Sequence, residues 1–236
     1  MNYNVRLFNR YKWIENEKIP LKISNLIKNN DPDVLCIQEF FPSEEIQINY
    51  PYKYIELKGK KHDFGQAIYS KYKIIKKGSL DFRNTSNNAI YIDILKNNDT
   101  IRIYNLHLQS LGLKTNKQYL GQANSEKILK RLSNSFIKQQ EQVEEFLVHK
   151  NQCEHKIIIS GDFNNTSYSW AYHEIKGEMN DTFNLGGAGF GKTFEIKKYP
   201  LRIDFILTDK NIEVRQHQNF TQKYSDHFPV LARLKI

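Results

Sequence analysis

The chain has 236 residues, enough to bury a sizeable core in one large α/β domain or two small ones. A hydrophobic content of 39% with 13% aromatic residues excludes a disordered chain, and no run approaches the ~20 apolar residues that a membrane-spanning helix needs. The formal net charge of +9 fits a polyanionic partner such as nucleic acid or anionic headgroups. It fits equally well a compositional bias, because the lysines are scattered and Asn, Lys and Ile recur everywhere. No apolar segment of secretory type follows Met1. The first strand signal nevertheless begins abruptly, which leaves a longer natural N-terminus open. Two cysteines, Cys36 and Cys153, lack zinc or redox spacing, so a reducing, cytoplasmic location is the default expectation.

In chain order, Val5–Phe8 reads as a strand. Residues 15–29 carry Ile19, Ile23, Leu26 and Ile27 at helical spacing. Asp31-Pro32-Asp33 turns the chain into a strand over Val34–Glu39, in which Cys36 is a small core residue. Short strands follow at Tyr52–Leu57, Gln66–Ser70, Ile74–Lys77, Ala89–Leu95 and Ile101–Leu108, separated by turn residues as in an antiparallel meander. Residues 125–149 form the longest helical pattern, with Ile128, Leu129, Leu132, Phe136, Val143, Phe146 and Leu147 on one stripe and Ser125 as N-cap. Lys156–Ser160 is a buried strand, Ser169–Ile175 a short helix, and Leu201–Thr208 and Pro229–Leu234 the last strands. Many strands with few helices, and no linker or repeat, predict one domain over residues 1–236. Its expected fold is a four-layered α/β sandwich: two mixed, mostly antiparallel sheets packed face to face and flanked by helices.

Five blocks along this framework carry chemistry. They are Asn4-Val5-Arg6, Gln38-Glu39, Asn105-Leu106-His107-Leu108, Gly161-Asp162-Phe163-Asn164, and the closing pair Arg202-Ile203-Asp204 with Ser225-Asp226-His227. Each follows or sits in a strand-type run and ends in a residue that can hold a metal, a water or a phosphate oxygen. Metal-assisted phosphoester hydrolysis needs a hard oxygen ligand, a group to orient or deprotonate water, and donors for the developing phosphorane charge. Glu39 fits the first need and Asp162 the second. Asn4, Asn164, His107 and His227 fit the third. Taken singly, each block has a plainer reading. Gly161–Asn164 is also a good turn, Glu39 a solvated strand end, and His107 a surface histidine opposite Leu106 and Leu108. Asp204, inside an apolar run, needs a partner, which either Arg202 or His227 can be. Asp226 is a second metal ligand or a residue that shapes its loop.

The ordered set resembles the endonuclease/exonuclease/phosphatase superfamily, with the deoxyribonuclease-like fold, over nearly the whole chain from Asn4 to His227. The resemblance implies that Asn4 and Glu39 bind or position a divalent metal, Mg²⁺ with Mn²⁺ as a substitute. It implies that Asp162 and Asn164 orient the attacking water and the scissile phosphate. It implies that His227 contacts the phosphate and pairs with Asp204, and that His107 lies on the phosphate side. Arg6 departs from the acidic residue that apurinic endonucleases carry at that position. The segment before Gln66 lacks the Glu that pancreatic-type deoxyribonucleases pair with their equivalent of His107. The Asn105–Ser110 wording is similar to the sphingomyelinase-like and tyrosyl-DNA phosphodiesterase-like branches. The residues do not decide whether Asp162 or a neutral His227 is the general base.

The expected function is therefore phosphodiester hydrolysis, first on DNA or RNA. The alternative is a phospholipid or inositol-phosphate headgroup, and a non-catalytic binding module is third. A monomer is the default. Tyr168, Trp170 and Tyr172 read either as base-stacking rings or as helix packing. Lys192 and Arg202 flank a glycine-rich stretch, 186–194, read as a mobile loop with possible substrate contact. His62, His149, His155, His173 and His217 read as exposed and without a role.

Overall fold

The computed structural model of the chain describes all residues except 59, 60, 62, 98, 113–121 and 197–198, so His62 lies outside the described residues. The chain opens with β1 (Asn2–Asn4), α1 (Ile19–Asn30), β2 (Val34–Phe40), β3 (Tyr52–Leu57), β4 (Gly65–Ser70) and β5 (Ile74–Ser79). It continues with β6 (Asn88–Lys96), β7 (Asp99–His107), α2 (Gln122–Asn151), β8 (Lys156–Asp162), α3 (Trp170–Lys176), β9 (Asn180–Asp181) and α4 (Thr182–Gly186). The last strands are β10 (Phe194–Ile196), β11 (Tyr199–Leu201), β12 (Asp204–Thr208), β13 (Glu213–Asn219) and β14 (Val230–Lys235).

Two six-stranded sheets form, in the orders β13-β14-β1-β2-β4-β3 and β5-β6-β7-β8-β12-β9. Each holds one parallel pair, β1 with β2 and β7 with β8, among antiparallel neighbours. The inner faces meet in an isoleucine-rich layer that includes Cys36, Ile68, Ile90, Ile103, Ile158 and Val230. Helix α1 lays Ile19, Ile23 and Ile27 on the outer face of the first sheet, against Tyr3, Leu35 and Ile37. Helices α2 and α3 cover the second sheet with Val143, Phe146, Tyr172 and Ile175, against Leu106, Ile157 and Ile159. The result is the expected four-layered sandwich, in which strands buried on both faces read as continuous apolar runs.

Several boundaries differ from expectation. Val5–Phe8 is not a strand. The strand ends at Asn4, and Arg6, Leu7, Phe8 and Asn9 all take left-handed φ angles between 43° and 64°. This tight turn buries Phe8 against Phe40, with ring centroids 5.8 Å apart, so packing overrides the β preference of the sequence. Helix α1 starts four residues later than predicted, at Ile19, because Pro20 suits a first turn. Helix α2 starts at Gln122, placing Ser125 inside it instead of at its cap; Gln122 and Ala123 are good helix formers. Only the C-terminal half of its apolar stripe is buried: Leu129 and Phe136 remain 65% and 48% exposed. The polar strand β13 gave no apolar signal, as befits an edge strand. Ser169 does cap α3, its hydroxyl accepting from the Tyr172 N–H at 3.2 Å.

Candidate active site

The site gathers where the parallel strands end. Asn4 closes β1, Glu39 lies near the end of β2, His107 closes β7 and Asp162 closes β8, while Asp204 opens β12 directly opposite Asp162. Gly161 makes this spacing possible, since a Cβ there would fall 2.1 Å from the Leu106 carbonyl oxygen. Glu39 sits at φ 50°, where β2 bulges between Ile37 and Phe40, which re-aims its side chain.

The seven residues expected at the centre do converge. The Asn4 amide donates to Asp162 Oδ2 at 3.0 Å and to Glu39 Oε1 at 3.2 Å, while its own oxygen accepts from the Arg6 N–H. The Asn164 backbone N–H donates to Asp162 Oδ1 at 2.8 Å, and its amide to Asp162 Oδ2 and to the Leu108 carbonyl. His107 Nε2 and His227 Nε2 each lie 3.7 Å from Asp162 Oδ2. His227 Nδ1 meets Asp204 Oδ2 at 2.9 Å. Asp204 therefore pairs with His227. Arg202 turns elsewhere, into a buried ion pair with Asp181 at 2.6 Å and against the Phe183 and Phe205 rings. Arg202 is thus committed to Asp181 and not to Asp204. Lys192, the other flank of that stretch, pairs with Glu195.

Asp226 lies at the edge, in an ion pair with Arg6 at 2.8 Å. A layer of neutral amides, which the sequence reading missed, stands beneath the site. Gln38 Nε2 donates to Asn2 Oδ1 and Asn105 Oδ1, both at 2.7 Å, and Asn2 reaches Asp204 at 3.4 Å. Asn105 donates to the Ile37 and Ala67 carbonyls across the sandwich. Directional bonds between buried amides fix how the sheets meet. Their only sequence signal was polar residues inside strands otherwise built to be buried. Two histidines expected on the surface are also packed: His149 against Tyr104, and His217 against Thr182, whereas His155 and His173 are exposed.

The electrostatics separate the groups. Burial would lower His227, but the facing carboxylates of Asp204 and Asp162 outweigh it and raise its pKa to about 10. His107, also buried, is pushed down. Burial raises Asp162 to about 6, opposed by His227. Glu39 is raised by burial and by Asp226. Among the described residues, Asp162, Asp204 and His227 form a group able to hold a metal, with ligand atoms within 4.8 Å of one another. An imidazole already bound to Asp204 and held protonated is a poor ligand, however. Glu39 fits a cation better. It is a hard oxygen donor supported by a neutral amide, and the nearby Arg6 directs its ion pair to Asp226 instead.

The sequence model described as the endonuclease/exonuclease/phosphatase family matches residues 1–227. The chain belongs to the endonuclease/exonuclease/phosphatase family. It is thus a family phosphoesterase, as the resemblance implied. Among solved structures, the chain is similar to humanized D. rerio TDP2, with a TM-score of 0.73 and 16% identity over 100% of this chain and 97% of that one. It is similar to the mannosyl-6-phosphatase Bt3783 of Bacteroides thetaiotaomicron, with a TM-score of 0.68 and 17% identity over 100% and 98%. It is also similar to the beta toxin of Staphylococcus aureus, with a TM-score of 0.66 and 20% identity over 98% of each chain. These likenesses establish the deoxyribonuclease-like sandwich and no particular substrate. No curated protein sequence matches the chain.

Proposed function

We propose that residues 1–236 are one catalytic unit, a divalent-metal-dependent nuclease that hydrolyses phosphodiester bonds of DNA or RNA. The observation that carries the hydrolytic reading is the convergence on Asp162: an asparagine on either side, and two imidazoles each 3.7 Å away. Support for a nucleic-acid substrate comes from the charge of +9 and from the rim beside Asn4. There Arg6 stacks on Trp13 at 4.3 Å, and Arg10 lies over Phe41 at 3.9 Å. Guanidinium groups interleaved with rings suit a phosphate backbone with stackable bases.

Glu39 and Asn4 would hold Mg²⁺, with Asp226 able to turn from Arg6 toward it. Mg²⁺, or Mn²⁺ in its place, supplies charge neutralisation for the phosphate oxygens. We assign Asp162 as the base, because its partner His227 is held cationic by Asp204. Water attacks phosphorus, its proton passes to Asp162, the P–O bond to the leaving group breaks, and the leaving oxygen takes a proton from His227 Nε2. His107, kept neutral by burial, hydrogen-bonds a non-bridging oxygen. Asn164 is committed to Asp162 and Leu108, so we assign it the positioning of the base.

The test is cleavage of supercoiled plasmid and labelled single strands with Mg²⁺ or EDTA, beside Asp162→Asn. Metal-dependent cutting lost in the folded variant is expected. Absence of cutting by the folded wild type, with both Mg²⁺ and Mn²⁺, overturns the nuclease reading.

A further inference from the structure

The aromatic residues that follow the Gly161–Asn164 block divide in the structure. Tyr172 is buried in the core under α3, whereas Tyr168 and Trp170 are 91% and 48% exposed. They face the N-terminal half of α2, whose Leu129, Leu132, Phe136 and Ile137 have no core to enter. Together these residues line a groove of about 730 Å³. A patch of exposed rings and aliphatic side chains on one wall of a concave surface needs a reason, because such patches mark binding sites more often than chance.

Three observations narrow its use. The groove is joined to the site through the chain: Asn165 and Thr166, the next residues after Asn164, belong to its wall. It is coupled rigidly to the base-positioning loop. Asn165 donates to Gln139 Oε1 at 3.0 Å, and Gln139 donates in turn to the Gln109 and Phe163 carbonyls. Finally, among the described residues the lining holds no charged side chain, although the chain carries 35 Lys and Arg. Phosphates therefore have no partner there, while the rim at Arg6 and Arg10 offers one.

We infer that this groove is a nucleobase subsite, which takes an unstacked base next to the scissile phosphate and makes the enzyme prefer single-stranded substrate. The inference rests on the nuclease reading above and adds the strandedness of the substrate. A base is neutral and flat with hydrogen-bonding edges. The groove offers rings for its faces, and Gln140, Asn165 and Ser169 for its edges. Gln140 is exposed, and the Asn165 amide spends one of its two N–H groups on Gln139, so both can still meet a base edge, whereas an acyl chain has no use for them. A base paired inside a duplex has both faces covered and its edge engaged, so it cannot enter.

The experiment measures binding to the full chain carrying Asp162→Asn, using fluorescent single-stranded and duplex oligonucleotides of the same sequence with Mg²⁺. Tighter binding of the single strand is expected. Adding Tyr168→Ala with Trp170→Ala should weaken single-strand affinity by about fivefold or more per ring and change duplex affinity by less than twofold. Tyr168→Phe with Trp170→Phe keeps both rings and should restore single-strand binding, which separates lost stacking from a damaged fold. Equal affinity for both forms overturns the inference and leaves the nuclease reading standing. So does an alanine variant that binds single strands as before. Wild-type protein that neither binds nor cuts any oligonucleotide overturns both. If the alanine variant instead loses binding to zwitterionic phospholipid vesicles, the groove is a lipid site and the inference fails.

Discussion

On one side of the site, Asp162, Asp204 and His227 are 1%, 2% and 6% exposed and bonded to one another or to backbone. On the other side, Arg6 and Asp226 have side chains about a third exposed, and Arg6 sits on a run of left-handed backbone. The buried side has fixed geometry, and the pKa values of Asp162 and His227 are displaced, which suits groups that move protons. The open side has loosely held charges that can exchange partners, which suits a cation or a phosphate that comes and goes. The same fold thus holds a buried, tightly bonded group of side chains and a more open ion pair.

Substitutions should act differently on the two sides. The largest expected effect is from Asp162→Asn, a loss of about 10²–10⁴-fold in kcat with the fold retained, since the amide keeps the shape of the buried carboxyl and only one of its two ends must face donors. A large drop in melting temperature would show that Asp162 is structural. Glu39→Gln should act on metal instead, raising the Mg²⁺ concentration for half-maximal activity by about 10–100-fold, the range seen when a metal site is weakened. An unchanged Mg²⁺ requirement would move the metal to the Asp162–Asp204–His227 group.

A smaller effect concerns stability against pH without metal. The folded pKa of His227 is raised from 6.5 to about 10, so its pairing stabilises the fold fully below pH 6.5. That contribution is lost as pH rises through about 10. Melting temperature should therefore fall between pH 6.5 and 10, and fall less in Asp204→Asn, which can be followed by circular dichroism. Parallel curves for the two proteins would refute the pairing. The smallest effect is expected for Asp226→Asn. Its ion pair with Arg6 is partly exposed, so the cost should stay within about 1 kcal/mol in chemical denaturation. A larger cost would mean that the open side is as tightly built as the buried one.

The contrast also tracks what the sequence made legible. The two-sheet sandwich was readable because strands such as Ile157-Ile158-Ile159 and Leu35-Cys36-Ile37 have few other ways to be buried. The central groups were readable because each stands in or beside a strand-type run next to a recognisable turn. What escaped depends on the third dimension. Whether Asp204 chooses Arg202 or His227 is set by where Asp181 and Phe183 stand, and neither lies near it in sequence. The left-handed turn at Arg6–Asn9 contains no glycine, and is imposed by the burial of Phe8. The amides of Asn2, Gln38 and Asn105 belong to no local pattern, because their partners are 36 to 202 residues away. Likewise, the stripe on α2 predicted the helix but not that half of it would stay uncovered.

The way β1, β2, β7 and β8 all bring residues at or near their ends to one place has a practical meaning for anyone wishing to redesign this protein. Asn4, His107, Asp162 and Asp204 stand at strand ends, whereas Tyr168, Trp170, Trp13 and Arg10 belong to the segments beyond them. Single side chains there, such as the exposed Tyr168, are therefore the places to vary specificity, because α3 itself carries core residues of the second sheet.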